Sequence, residues 1–117
     1  MKKKQNTDKR PWGRYTVLFK GRDHQVKRMQ VDPGLRFSLQ KHKKRAETWV
    51  VVSGHGTATL AGKKIKVTRG SVVRVGVGQT HRMHNTGKEP LVFFEVQFGD
   101  YLGEDDIIRL EDDFNRA

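Results

Sequence analysis

Cysteine is absent from the 117-residue chain, which excludes both a disulfide framework and a thiolate-held metal. Absent too is any apolar run near the roughly 20 residues that a membrane-spanning helix requires. The opening MKKKQNTDKR is charged and is followed by no apolar core of a secretion signal. Residues 1–10 therefore read as a flexible basic arm, and the chain as a soluble cytoplasmic protein. The remainder, 11–117, is long enough to bury its own core as one domain.

Acid is scarce in the first part of the chain. Residues 1–45 hold fifteen Lys and Arg against three Asp, whereas residues 46–117 hold nine against ten, so +12 and −1 make up the net charge of +11. A basic half draws anions such as nucleic acid, anionic lipid or phosphorylated substrates, and it also serves simply as a solvated surface. The patterns that would sharpen a nucleic-acid reading are missing: there is no helix-turn-helix, no aromatic stacking signature and no zinc-finger spacing. A nucleic-acid partner is accordingly not expected.

Helical periodicity is almost missing as well, and short strands take its place. Arg10-Pro11-Trp12-Gly13 makes a turn, and the sequence predicts strands over about 14–19 and 26–31, with Gly21-Arg22-Asp23 and Asp32-Pro33-Gly34 as turns. From Phe37 the period is two, which puts Ser38, Gln40, His42 and Lys44 on one side. Thr48 to Val52 has the β-branched composition of a buried strand, and Gly54 and Gly56 end it. Residues 57–60 and 64–67 form a hairpin around Ala61-Gly62-Lys63. A strand over 71–75, a loop at Gly76-Val77-Gly78, a strand carrying His81, Met83 and Asn85 on one face, and the apolar run 91–96 follow.

The tail DYLGEDDIIRLEDDFNRA sets seven acids against two arginines. A short strand near 107–110 and a turn of helix at 111–116 are expected there, its acids suiting the start of the helix and neutralising part of the basic half, in the same chain or a partner subunit. Trp12, Trp49 and Phe93 are expected in the core and His24, His55 and His84 on the surface, with Asn85 bonding the turn after its strand. Many short strands punctuated by turns indicate an all-β sandwich or barrel.

Chemistry concentrates in two stretches, FSLQKHKKRAETWVVVSG at 37–54 and GSVVRVGVGQTHRMHN at 70–85. Imidazole and carboxylate held at fixed angles suit a divalent metal, and ligands two apart on a strand face the same way. Gln40 with His42, or His42 with Lys44, would supply such a pair; Glu47 could reach back after the charged corner, and His81 would arrive from the second stretch.

These stretches resemble the two motifs of the cupins, small jelly-roll-like β-barrels. The first reads Gly34…His42-x-Lys44…Glu47…Gly54 and the second Gly70…Gly76-x-Gly78…His81…Asn85. Within the cupins, RPWGRY, VDPG, SLQKHKKRAETWVVVSG, HRMHN and EVQFGDYLGEDDIIRLEDDF are similar to the type II mannose-6-phosphate isomerase domain from Arg10 to Arg116. That domain is often fused behind a nucleotidyltransferase; the chain has no Gly-rich nucleotide-binding start, and guanylyl transfer is not expected of it.

The sequence departs from the family pattern at Lys44 in place of a second His, at Thr48 in place of the His before Trp, and at Gly76 in place of Pro. A protonated Lys beside a divalent cation is repulsive. The other mannose-6-phosphate isomerase class holds zinc by Gln, His, Glu and His, which here would be Gln40, His42, Glu47 and His81.

The resemblance implies a divalent metal, zinc first, with Mn, Co, Fe or Ni as alternatives. It implies interconversion of mannose 6-phosphate and fructose 6-phosphate, the metal stabilising an enediolate while a base moves a proton between C1 and C2. Lys44, Arg45 and Arg82 are the candidates for the substrate phosphate, and Glu95 or a neutral Lys44 for the base. Two competing readings remain open. One is a non-catalytic cupin holding a sugar phosphate, a nucleotide-sugar or a metal. The other is a nucleic-acid binder driven by the basic half. A C2 homodimer, its basic start against its acidic end, is the expected assembly.

Overall fold

Alternation of inward and outward side chains builds nearly every element. In AETWVVVS, Glu47, Trp49 and Val51 are buried while Ala46, Thr48 and Val50 between them are only half-covered, the period of a strand with one face on a core. The computed structural model describes residues 6–116 and arranges them in eleven strands. These are β1 Asn6–Arg10, β2 Gly13–Lys20, β3 His24–Val31, β4 Leu39–Lys41, β5 Ala46–Ser53, β6 Gly56–Leu60, β7 Lys63–Val67, β8 Val72–Val75, β9 His81–Asn85, β10 Leu91–Phe98 and β11 Ile108–Glu111. They form two antiparallel sheets, one in the order β1-β2-β3-β10-β5-β8 and one in the order β11-β4-β9-β6-β7. The core lies between them. No helix among the described residues is long and apolar enough to cross a membrane.

Three expectations are corrected. Residues 6–10 are not part of a free arm: they pair in register with β2, Asn6 opposite Val17 and Arg10 opposite Gly13, because the turn at Pro11 and Trp12 folds them back along the sheet. Residues 1–5, the rest of that arm, lie outside the described residues. The helical turn at 111–116 is absent. The Asp112 carboxylate accepts from the backbone N–H of Phe114 and Arg116 and from the Arg116 side chain, and Asn115 takes φ +55°. A side chain that captures the local N–H groups in this way replaces the helical ladder with a turn. Finally, the strand expected from Phe37 narrows to Leu39–Lys41, joined to β9 only through Gln40 opposite His81.

The interior is graded along the strands. At one end Val31, Val51 and Leu91 are fully buried beside an aromatic stack, with Trp12 to Phe37 at 5.4 Å, Phe37 to Trp49 at 5.9 Å and Trp49 to Phe93 at 5.1 Å. At the other end the same inward phase brings polar groups in. Lys27 lies opposite Glu95, Gln25 opposite Gln97 and Gln97 opposite Glu47 on three adjacent strands, and all five are buried. Gly54 holds φ +81° where a Cβ would stand 2.6 Å from the Pro90 carbonyl oxygen, so only glycine lets β5 turn against the start of β10.

The acidic tail closes this polar end. Glu104 pairs there with Lys27 at 2.8 Å, while on the other face of the second sheet Asp113 grips Arg36 through two bonds of 2.8 and 2.9 Å and Glu111 pairs with Arg82 at 3.1 Å. The tail thus neutralises cations of its own chain, as the charge division suggested.

Candidate metal centre

The polar end of the barrel encloses a cavity of about 60 Å³, lined among others by Gln40, His42, Arg45, Glu47, His81 and Glu95. His42 follows β4, Glu47 sits on β5, His81 opens β9 and Glu95 lies on the central strand β10. Their inward parity is set by apolar neighbours two residues away: Trp49 beside Glu47, Met83 beside His81 and Phe93 beside Glu95, all fully buried.

His42, Glu47 and His81 place one ligand atom each within 4.8 Å of the others, and all three are buried. The hydrogen bonds decide which nitrogens face inward. His42 Nδ1 donates to the backbone carbonyl of Asp106, and His81 Nδ1 donates to that of Gln79 at 3.0 Å. A carbonyl only accepts, so each Nδ1 carries the proton and each Nε2 presents a lone pair. The two Nε2 atoms lie 3.3 and 3.8 Å from the two oxygens of the Glu47 carboxylate. Burial keeps both rings neutral: it pushes His42 down to about 4, helped by the positive Arg45, and it also lowers His81.

Two neutral imidazoles locked by backbone carbonyls, with one carboxylate between them, fit a divalent ion such as zinc in donor type and in outer support. Gln40 lines the same cavity, lies opposite His81 and is half-buried, its amide nitrogen reaching the Ser38 carbonyl at 3.4 Å.

Behind the ligands stands a second carboxylate. Trp49 Nε1 donates to Glu47 and to Glu95 at 3.1 Å each, and Gln97 donates to the other oxygen of Glu95 at 2.7 Å. Burial, then the charge of Glu47, pushes Glu95 up to about 7. Two acids that share a single N–H donor cannot both ionise cheaply.

Arg45 is buried in the same cavity and donates from Nε to Glu47 Oε2 at 2.8 Å and from Nη2 to His42 Nε2 at 3.2 Å.

Two expected contacts are not brought to the cavity. Lys44 does not continue the column of Gln40 and His42. The chain bends after His42 because the Asp106 carboxylate captures the backbone N–H of Lys43 and Lys44 at 3.0 and 2.9 Å, so the period of two ends. Arg45 takes the inward place, and Lys44 is exposed with its ammonium 4.9 Å from the Tyr101 ring. Neither a base nor a phosphate contact in this cavity is available from Lys44. Arg82 points to the other face of its sheet, donating to the Phe37 carbonyl at 2.9 Å and to Glu111, so it is not a phosphate contact here. Thr48 pairs outward between Arg74 and Val96, so its departure from the family pattern removes nothing from the cavity.

Lys27, Glu104, Arg10, Arg109 and Arg116 line the cavity without having been singled out from the sequence. The signal for Lys27 was present: it shares parity with Met29 and Val31, which fixes the inward phase of β3. Of the other predictions, Trp12, Trp49 and Phe93 are core, and His24 and His55 are exposed, whereas His84 is half-buried. Asn85 is fully buried and bonds its following turn through Gly87 N at 2.9 Å and the Glu89 carbonyl at 2.8 Å.

Two curled antiparallel sheets with ligand-type histidines inside their polar end define a cupin, and solved structures agree on the fold. The capsular polysaccharide assembling protein CapF from Staphylococcus aureus superposes with a TM-score of 0.82 at 24% identity over 92% of this chain and 34% of that one. The profile described as "Mannose-6-phosphate isomerase C-terminal" matches residues 1–112, and the chain belongs to that family. Among its relatives, the xanthan biosynthesis protein XanB of Xanthomonas campestris is 48% identical over 108 residues. A mannose-1-phosphate guanylyltransferase of Klebsiella pneumoniae is 43% identical over the same length. In each case the match takes in 92% of this chain and 23% of the relative, so the chain spans about a quarter of those proteins.

Proposed function

We propose that the chain is a metal-dependent sugar-phosphate isomerase that interconverts mannose 6-phosphate and fructose 6-phosphate. The observation that carries the reading is the convergence of two neutral Nε2 lone pairs on the Glu47 carboxylate inside a cavity, in a chain of this family. His42, Glu47 and His81 would hold a divalent ion, with the amide oxygen of Gln40 as fourth ligand. The ion supplies Lewis-acid polarisation of the substrate's oxygens at C1 and C2.

The chain's own residues do the rest. Glu95, buried on the cavity wall, is the carboxylate placed to take a proton at one carbon and return it at the next. The Trp49 N–H and the Gln97 amide hold its carboxylate in place. Arg45, together with Arg10, Arg109 and Arg116 along the cavity wall, supplies the positive charge a phosphate needs.

The test is a coupled isomerase assay on chelator-stripped protein reloaded with Zn²⁺, Mn²⁺, Co²⁺, Fe²⁺ or Ni²⁺. Turnover with at least one ion, lost in Glu95→Gln, is the expected result; turnover with none overturns the reading.

One observation favours a second reading, a cupin that binds without turnover. The cavity, at about 60 Å³, is smaller than the roughly 300–1,000 Å³ of pockets that enclose whole small molecules. Uptake of Zn²⁺ by a chain that, in calorimetry and the coupled assay, neither binds nor isomerises mannose 6-phosphate would select it.

A further inference from the structure

The least expected occupant of the site is a side chain of the protein itself. Arg45 is 6% exposed, and its guanidinium is hydrogen-bonded to two of the three groups that would bind the ion, Glu47 Oε2 at 2.8 Å and His42 Nε2 at 3.2 Å. A lone pair that accepts an N–H cannot also bind a metal, and a guanidinium is positive at every accessible pH. Arg45 and the ion therefore exclude each other from His42 Nε2, and at Glu47, whose carboxylate keeps further lone pairs, the two positive charges repel.

The guanidinium is also incompletely satisfied where it stands. Its Nη1 is buried with no hydrogen-bond partner, an arrangement that costs free energy. A carboxylate oxygen close to that nitrogen is Glu104 Oε2, 3.8 Å away, on a side chain that is half exposed and already bonded to Lys27. A modest rotation of Arg45 away from His42 and toward Glu104 would give Nη1 its missing acceptor and free the His42 lone pair. Of the other carboxylates that act on its charge, Glu95 lies on strand β10 behind and Asp106 is held by the backbone N–H groups of Lys43 and Lys44.

Resting on the metal reading above, we infer that Arg45 is a positioning residue that acts as a built-in competing cation. It pairs the buried Glu47 carboxylate while no metal is bound, lowers the affinity of the site, and moves to Glu104 when a divalent ion takes His42 and Glu47. After that move its donors border the cavity as a group for an anionic substrate.

The test is titration of the full chain, stripped of metal, with Zn²⁺ against a chromophoric chelator, alongside thermal melting with and without the ion. Arg45→Met, which keeps the length and removes the charge, should bind Zn²⁺ at least tenfold more tightly than the native chain and gain more melting temperature from it. Arg45→Lys, which keeps the charge, should stay near native affinity. Glu104→Gln, which takes away the destination, should weaken binding in the native chain and much less in the Arg45→Met background; where Arg45→Met folds poorly, Glu104→Gln in the native chain carries the test, and native affinity there overturns the inference. Equal or weaker binding by Arg45→Met, or a Glu104→Gln effect of the same size in both backgrounds, overturns the inference while leaving the metal site standing. If neither the native chain nor any variant binds more Zn²⁺ than His42→Ala does, the metal reading fails and this inference with it.

Discussion

The Arg45–Glu47 pair is the place where the structure sets a magnitude that can be measured. Both side chains are buried, 6% and 1% exposed, and they meet at 2.8 Å. Removing one partner of a buried pair typically costs about 3–5 kcal/mol, because the survivor is left as an uncompensated charge, whereas replacing both with neutral groups of similar volume is often close to neutral.

Glu47→Gln in metal-free protein should therefore destabilise by about 3 kcal/mol, at the low end of that range. The reason is Glu95: relieved of the repulsion of Glu47, it ionises more readily and supplies a substitute charge for Arg45. Arg45→Met should cost a similar amount at neutral pH. The double variant should return to within about 1–2 kcal/mol of the native chain, a coupling of about 4 kcal/mol. Urea denaturation with a chelator present reads this directly, since a loss of 3 kcal/mol moves the midpoint by about 1–3 M. Losses in the double variant equal to the sum of the two singles would refute the claim that the ion pair sustains the metal-free site.

Asp112 gives a pH-dependent outcome. Hydrogen bonds from Arg116, then from the backbone, lower its acid to about 2 from an ordinary 3.8. A folded-state value below the unfolded one means stability that is complete above about pH 4 and is lost as the pH falls toward 2. Asp112→Asn should cost about 1–2 kcal/mol at pH 7, with the gap to native closing between pH 4 and pH 2 in denaturation curves; a gap that persists at pH 2 contradicts the assignment. Gly54→Ala forces a Cβ to 2.6 Å from a backbone oxygen at φ +81°. It should lose at least about 2 kcal/mol and roughly 8 °C of melting temperature, and an unchanged melt would show that the start of β10 yields freely.

Local pattern made most of the strands legible. Alternation and turn chemistry placed the 57–67 hairpin, the 81–85 strand and the 91–96 core run within one or two residues of their observed limits. They also marked His42, Glu47 and His81, which the fold then brought within 4.8 Å of one another. What they left open depended on contacts between residues distant in the chain. The strand at 6–10 has no apolar pattern of its own and exists because β2 offers it a free edge. Lys44 left the column of Gln40 and His42 because a carboxylate 62 residues further on bends the chain beneath it, and the same bend turned Arg45 inward.

By itself, then, the sequence determined the class of fold and the residue types of the site, because both follow from short-range periodicity and a few chemically distinctive side chains. Only the tertiary structure decided which charges share the buried end of the barrel. That depends on which face of each strand another sheet covers. It also depends on the tail at 104–106, which reaches Lys27, the His42 ring and the bend at Lys43 and Lys44 across more than sixty residues of chain.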